Sequence, residues 1–462
     1  MGYLVAGRIK GFEDFFVAGR SLTAPILICS LVSSYYGLDA LIGDSGDASR
    51  EGAVVWFTYG RPYTVALLLT ALVLARRVRA GQFLSVPDIL AHHYGRPAQV
   101  AGAIASFFYA LPILSIMGLA AVGQVLFGAP LWVGAVLGSA FAVAYTAMGG
   151  AWADALTDTV KFVIMCLSLA VAVPYALSAV GGFAGIQERM GAEFMQPLGK
   201  APALYTAAYA LTALSALVEP LFYQRAFAAR APATLTHALL WSILLFAAYD
   251  WATTAAGMAG GALMASGVLP SDTPRDQVLL RVMTLYLPVG FSGFFLGGVL
   301  ATAMSTVDSY LLIAGGNLVY DLYRPLVNPR ADDRTLIRYT RLSLIFSAGV
   351  CIVIGLYFQR IKEAWNFMAT VLSATLLVPL LAALLLPGRR RPLAGTLSAW
   401  GGLGAVAVFF VVMDIWGVPH EGLETRALSV GDVELFREYA LFFALPISWL
   451  GYIAGATLGK RA

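Results

Sequence analysis

Apolar blocks of about 20 residues recur along the whole chain, separated by short charged or Gly/Pro-rich breaks. A block of that length crosses the roughly 30 Å hydrocarbon core of a bilayer as a helix. A helix is also one of the few structures that satisfies all its own backbone groups where there is no water. Charged residues make up only 12% of the 462 residues and apolar ones 59%, whereas a soluble domain carries about 25% charged residues. These features exclude a water-soluble enzyme, a disordered chain and a disulfide-rich secreted protein, and predict an all-α polytopic membrane protein embedded in the lipid bilayer. Cys29, Cys166 and Cys351 lie inside the blocks, odd in number and without metal-site spacing, as packed thiols do. The net charge of +4 does not point to nucleic acid, because basic residues in such a chain set its orientation.

Counting blocks predicts about twelve spans. Five run Leu22 to Ile42, Ala53 to Ala75, Ala98 to Phe127, Leu131 to Ala147 and Ala155 to Val180. Five more run Tyr205 to Ala226, Leu235 to Met264, Val289 to Leu322, Leu342 to Phe358 and Ala364 to Leu386, and the last two run Leu393 to Trp416 and Tyr439 to Leu458. With the end before Leu22 placed in the cytoplasm, about 19 basic residues fall inside, Arg225 among them, against about 9 outside. The C-terminus is then expected in the cytoplasm, and the protein in the plasma membrane. Arg61 and Lys161 are left within spans, and the outside loop His420 to Glu438 is acid-rich.

Five spans plus five, of opposite orientation, match the inverted repeats of many secondary transporters. The expected organisation is a lead-in (1–21), repeat one (22–182), an outside connector (183–202), repeat two (203–386) and two additional helices (387–462). Met1 to Arg8 resembles the tail of a preceding helix.

The first span of repeat one carries Ser33-Ser34-Tyr35-Tyr36-Gly37-Leu38-Asp39 at its centre. Two hydroxyls, a glycine and a carboxylate in mid-span suit a helix that unwinds there, freeing carbonyls that only a cavity or an ion can satisfy. Small residues also let helices pack closely, and that use stays open. The matching span of repeat two runs from Thr212 through Ser215 to Glu219 and Pro220, where proline removes a ladder donor.

Thr302, Ser305 and Thr306 stand at i, i+3 and i+4 and so share one helix face. Hard cations take oxygen ligands. Two hydroxyls and a carbonyl here, with two carbonyls from Ser33 to Tyr36, would make an uncharged Na⁺ cage; back-bonding to i−4 carbonyls is the alternative use of the hydroxyls. Asp158, near the start of the fifth span, has the character of an intramembrane carboxylate on an ion pathway. Two plainer roles also fit: Lys161 three residues on would neutralise Asp158, and Asp154 is placed to cap the helix. Asp39, Glu219 and Asp250 lie at or near mid-span, where their charge suits a cation or an amine-bearing solute and where pairing or protonation explains each equally well. His92, His93, His237 and His420 form no ligand cluster, and no catalytic motif is present, so no enzyme is expected.

Taken together these residues resemble the sodium:solute symporter family, which includes transporters for proline, pantothenate, sugars and sialic acids. Asp14 to Leu22 (DFFVAGRSL) looks like the motif before the family's first core helix, and Ile42-Gly43-Asp44-Ser45-Gly46 falls where members have Gly-x-x-Gly. Ser85 to Leu90, His93 to Arg96, Gly149-Gly150, Thr157-Asp158, Tyr223 to Ala229, Met304-Ser305-Thr306 and Asp321 to Tyr323 follow in the family's order.

The resemblance implies a LeuT-type fold with Na⁺ between the first and eighth core helices. By motif, Ser33, Tyr36 and Thr302 would supply carbonyls, Ser305 and Thr306 hydroxyls, and Asp158 the route of ion release. Members usually have alanine where Thr302 stands and often glutamine where Lys161 stands. A Na⁺-coupled symporter of a small organic solute, an amino or carboxylate compound, is expected, working by alternating access as a monomer or loose assembly, with Tyr35, Asp39, Thr212, Ser215 and Glu219 near the solute. A solute sensor without turnover is the alternative.

Overall fold

The computed structural model describes residues 9–198, 203–357, 361–386, 391–420, 425–431 and 433–459. Met1 to Arg8, Lys200, Arg389, Arg390, Lys460 and Arg461, used above for the lead-in, the connector and the orientation, lie outside the described residues.

A short α1 (Phe12–Val17) leads into a helix broken at mid-span, α2 (Ala24–Tyr35) and α3 (Asp39–Glu51), which bend by 55° and pass as one apolar span only together. Residues 56–80 form α4, helical pieces joined by π turns at Trp56–Gly60 and Thr70–Leu74. Then come α5 (Val86–Tyr94), α6 (Arg96–Phe127), α7 (Leu131–Ala144), α8 (Gly149–Ala179) and the short α9 (Gly182–Met190). The next group is α10 (Ala203–Thr212), a 3₁₀ turn at Ala213–Leu217, α11 (Pro220–Ala228), α12 (Pro232–Ala265), α13 (Val278–Tyr286), α14 (Val289–Gly316), α15 (Asp333–Tyr357) and α16 (Ile361–Leu385). The chain finishes with α17 (Pro392–Trp416), strands β1 (Val418–His420), β2 (Thr425–Val430) and β3 (Val433–Phe436), and α18 (Ala440–Leu458).

Among the described residues nine helices are long and apolar enough to cross a membrane, ten with α2 and α3 counted as one span. α4 and α7 lie at the other two expected spans, and α7 meets α8 at a kink where Gly150 adopts φ +55°. The outside loop also holds structure that was not anticipated. β1, β2 and β3 form a three-stranded antiparallel sheet in that order, with Val418 opposite Ala427 and Leu428 opposite Leu435.

The break in the first helix is visible in its hydrogen bonds. Tyr36 N–H donates to the Val32 carbonyl (3.0 Å) as a helix requires, but Gly37 N–H turns to Tyr35 (3.0 Å) and away from Ser33. The ladder resumes with Leu41 N–H on Gly37 (3.2 Å), and α3 opens with a π turn over Asp39–Asp44. On either side of the break the two halves are anchored differently. The foot of α2 is tied to the end of α11 by Leu22 N–H on Ala228 (3.0 Å) and Arg230 N–H on Leu22 (2.9 Å).

α3 instead lies against α12, whose Gly257 and Gly261 are one turn apart, in the manner of membrane helices that pack through small residues. A Cβ added at Gly257 would stand 2.1 Å from the Ser45 carbonyl oxygen, and at Gly261 2.3 Å from that of Ser49. Overpacking a tight seam costs about 1–3 kcal/mol. Gly257→Ala is therefore expected to lower the midpoint of thermal unfolding in detergent, while Gly297→Ala, with nothing within 4 Å of the new methyl, leaves it unchanged.

Candidate cation and solute site

α2, α8, α11 and α14 meet at a polar centre closed off from the surface. The residues arrive there by helical spacing: Ser30 and Ser34 one turn apart on α2, Asp154, Asp158 and Lys161 at i, i+4 and i+7 on α8, and Ser305 and Ser309 one turn apart on α14. Asp158 is fully buried. Its Oδ1 accepts from the Ser305 hydroxyl (2.6 Å) and its Oδ2 from Ser30 and Ser34 (2.8 Å each). The hydroxyl oxygens of Ser305 and Ser33 lie 2.9 Å apart, so α14 touches α2 just before the break.

Two cations serve the carboxylates. Arg225 of α11, also fully buried, donates from Nη2 to Asp154 Oδ2 (2.8 Å) and to Ser309 (2.6 Å), and comes within 3.6 Å of Asp158 Oδ2. Lys161 Nζ donates to Asp308 Oδ2 at 2.6 Å and lies 3.5 Å from Asp158 Oδ1. Buried ions survive only with such partners, because the cost of leaving water is large.

Beside this centre, at the break, lie two narrow clefts of about 60 and about 30 Å³, room for a few water molecules. Tyr35, Asp39 and Trp365 line both. The first adds Tyr36, Asp44, Tyr63, Phe246 and Asp250, and the second Tyr109, Thr306 and Tyr310. The Tyr35 ring packs on Tyr63 (5.1 Å), Phe222 (5.1 Å) and Phe246 (5.2 Å). Asp250 takes Arg61 (3.0 Å) and the Tyr36 hydroxyl, and the Arg61 guanidinium stacks on Trp56 at 3.9 Å. A Cβ on Gly37 would lie 2.5 Å from Asp39 Oδ1 and 2.8 Å from the Thr306 hydroxyl, so the break, Asp39 and Thr306 meet at one point.

The residues singled out from the sequence divide accordingly. Ser33, Tyr36, Asp39, Asp158, Ser305 and Thr306 surround the break, with Tyr35 on the cleft wall. The hydroxyls of Thr302 and Thr306 do back-bond, to Gly298 (2.8 Å) and to the Thr302 carbonyl (3.3 Å), whereas Ser305 reaches across to another helix. Thr212 and Ser215 are not among the residues lining the two clefts: the Thr212 hydroxyl donates to Tyr209 (2.5 Å), and Ser215 is fully buried. Glu219 accepts from Tyr63 (2.5 Å) and Tyr310, which do line them.

One expectation holds with an addition and two need correction. Lys161 pairs with Asp158 at 3.5 Å as expected, and lies closer still to Asp308 of α14 at 2.6 Å. Asp154 lies inside α8 and binds Arg225, since the helix runs on from the kink at Gly150 and does not begin at Ala155. Arg225, counted among the loop cations, is a core residue of α11, flanked by Tyr223 and Phe227. Ser30, Ser309 and Asp308 belong to the centre as well, and their signal in the sequence is a polar residue one turn from another inside an apolar span.

Broken helices meeting at a polar midpoint within a polytopic bundle define a secondary transporter of the LeuT type. The sodium:solute symporter family model matches residues 15–388, and the chain belongs to that family. It is accordingly a multi-pass membrane protein that carries out Na⁺-coupled symport of a small organic solute. Similar proteins include the sodium/pantothenate symporter of Escherichia coli, 24% identical over 97% of this chain and 89% of that protein. The osmoregulated proline transporter OpuE of Bacillus subtilis is 23% identical over 90% and 85%, and a high-affinity choline transporter of Caenorhabditis elegans is 23% identical over 88% and 72%. Among solved structures, a Na⁺-coupled sialic acid symporter in a substrate-bound outward-open state superposes with a TM-score of 0.78 at 14% identity, covering 100% of this chain and 96% of that one. Mhp1, a nucleobase-cation-symport-1 family transporter, superposes with 0.59 at 15% identity, covering 96% and 94%.

Removing one partner of a buried ion pair costs about 3–5 kcal/mol, because the other charge is stranded. Arg225→Met should therefore abolish monodisperse protein in detergent, and Arg225→Met/Asp154→Asn should recover part of it, as read by size-exclusion profile and thermal midpoint.

Proposed function

We propose that the coupling Na⁺ binds at the break in the first helix, held by the carbonyls of Ser33, Tyr36 and Thr302 and the hydroxyls of Ser305 and Thr306. The observation that carries this is the 2.9 Å approach of Ser305 to Ser33, which brings the hydroxyl face of α14 against carbonyls that have lost their helical partner. Oxygen atoms without thiols or imidazoles suit a hard cation, and the lack of a carboxylate in the cage suits rapid release. Asp158, one hydrogen bond behind Ser305, is the next acceptor for an ion leaving the cage.

The solute occupies the adjoining clefts against Tyr35 and Asp39. Carboxylates on Asp39 and Asp44 within walls of Tyr35, Tyr63, Phe246 and Trp365 favour a solute that carries an ammonium group, which gains both charge pairing and cation–π contact. Similarity to proline and choline transporters agrees with that class. Thr212 and Ser215 have no part in this proposal, and Glu219 acts on the clefts only by orienting Tyr63 and Tyr310. Na⁺ joins α2 to α14 in one conformation, and a solute that prefers the same conformation is coupled to the ion reciprocally. Alternating exposure of the site to the two sides completes symport. The bias of basic residues orients the C-terminus to the cytoplasm of a plasma-membrane protein.

Uptake of choline and proline into proteoliposomes under an imposed Na⁺ gradient tests this. Ser305→Ala/Thr306→Ala is expected to raise the Na⁺ concentration for half-maximal uptake by about tenfold or more, the loss of about 1.4 kcal/mol of ion binding. Uptake indifferent both to Na⁺ and to that change would overturn the cage. For the solute, an ammonium compound at about 100 times its Kd should stabilise the protein by about 2.7 kcal/mol in the presence of Na⁺. Asp39→Asn should remove that shift while Na⁺ binding persists.

A further inference from the structure

Behind the proposed cage the polar centre already contains a cation of its own. The Lys161 ammonium is bracketed by carboxylates from two helices, Asp308 Oδ2 of α14 at 2.6 Å and Asp158 Oδ1 of α8 at 3.5 Å. That same Asp158 oxygen receives Ser305, a ligand of the cage, so ammonium and cage share one carboxylate oxygen as neighbour. Lys161, Asp158 and Asp308 are all more than nine-tenths buried. Thr146 adds a further oxygen, its hydroxyl 3.4 Å from Asp308 Oδ1. A buried place between two carboxylates, each with a hydroxyl on one of its oxygens, offers the oxygen ligands of a hard-cation site, and here a side chain fills it.

The charges of the centre give this a number. Asp154, Asp158 and Asp308 face two fixed cations, Arg225 and Lys161. Arg225 is committed to Asp154 at 2.8 Å. One negative charge is left over, which a single Na⁺ in the cage balances. Without the ammonium two would remain, and uncompensated buried charge is too costly to leave unmatched.

We propose that Lys161 is a tethered cation that fills a second Na⁺ position, between Asp158 and Asp308, and so limits the transporter to one mobile Na⁺ per cycle. The proposal rests on the cage described above, and the test separates the two. Lys161→Met keeps the apolar stem and removes the charge; Lys161→Met/Asp308→Asn removes one charge of each sign. ²²Na⁺ binding to the purified full-length protein should give one ion for the wild type, two for Lys161→Met and one again for the double variant. The Hill coefficient of Na⁺-driven uptake should follow, from about 1 to about 2 and back, since it is bounded by the number of sites.

Two ions on the wild type, or one on a monodisperse Lys161→Met, would overturn the proposal. If Lys161→Met does not fold, a double variant that folds and binds one ion supports it, and failure of both overturns it. A wild type that binds one ion with unaltered affinity after Ser305→Ala/Thr306→Ala would overturn the cage and this inference with it. The cage standing while Lys161→Met still binds one ion removes only the inference.

Discussion

Burial of the Asp158 carboxylate far from water is the condition around which the rest of the centre is arranged. A lone carboxylate there would be prohibitively expensive, so each of its oxygens is met by hydroxyl donors, and two cations stand within 4 Å. Those donors come from α2 and α14 and the cations from α8 and α11. The same requirement therefore holds four helices in register. Apolar surface cannot do this in a bilayer, because lipid tails solvate it as well as protein does; polar contacts and close packing must supply the specificity. The Gly257–Gly261 seam is the complementary device, using van der Waals contact where the centre uses charge.

The clefts obey a similar economy. Glu219 and Asp250 are each taken up by tyrosine hydroxyls, and Asp250 by Arg61 as well, so the aromatic rings of the cleft walls are held by Asp250 in the wall itself and by Glu219 one layer deeper. Rings held from behind present a rigid apolar face with little entropy left to lose on binding a solute. Asp39 and Asp44, which line the first cleft itself, supply its charge.

Much of this was legible in the residues before any coordinates. Spans, the break at Ser33 to Asp39, the hydroxyl face of α14 and the intramembrane Asp158 are local signals, carried by hydropathy and helical spacing. What was missed depends on partners distant in sequence. Arg225 near the end of an apolar block reads as an orienting loop cation unless Asp154, 71 residues away, is known to face it. Asp154 reads as a helix cap for the same reason. Glu219 reads as a solute ligand because the two tyrosines that claim it come from α4 and α14. The sheet of β1, β2 and β3 was obscured because each strand spans only a few residues of an acid-rich loop.

The pair of backbone hydrogen bonds joining Leu22 to Ala228 and Arg230 has a mechanical meaning. It acts as a rivet between the near ends of the two interrupted helices, so a displacement of α2 drags α11 with it. α3, by contrast, is welded along its length to α12. The three residues Tyr36 to Leu38 join the riveted half to the half seamed on α12, and the cage proposed above is built beside them. A cation held in that proposed cage would touch both halves of the broken helix at their joint, where its binding energy bears directly on their relative placement.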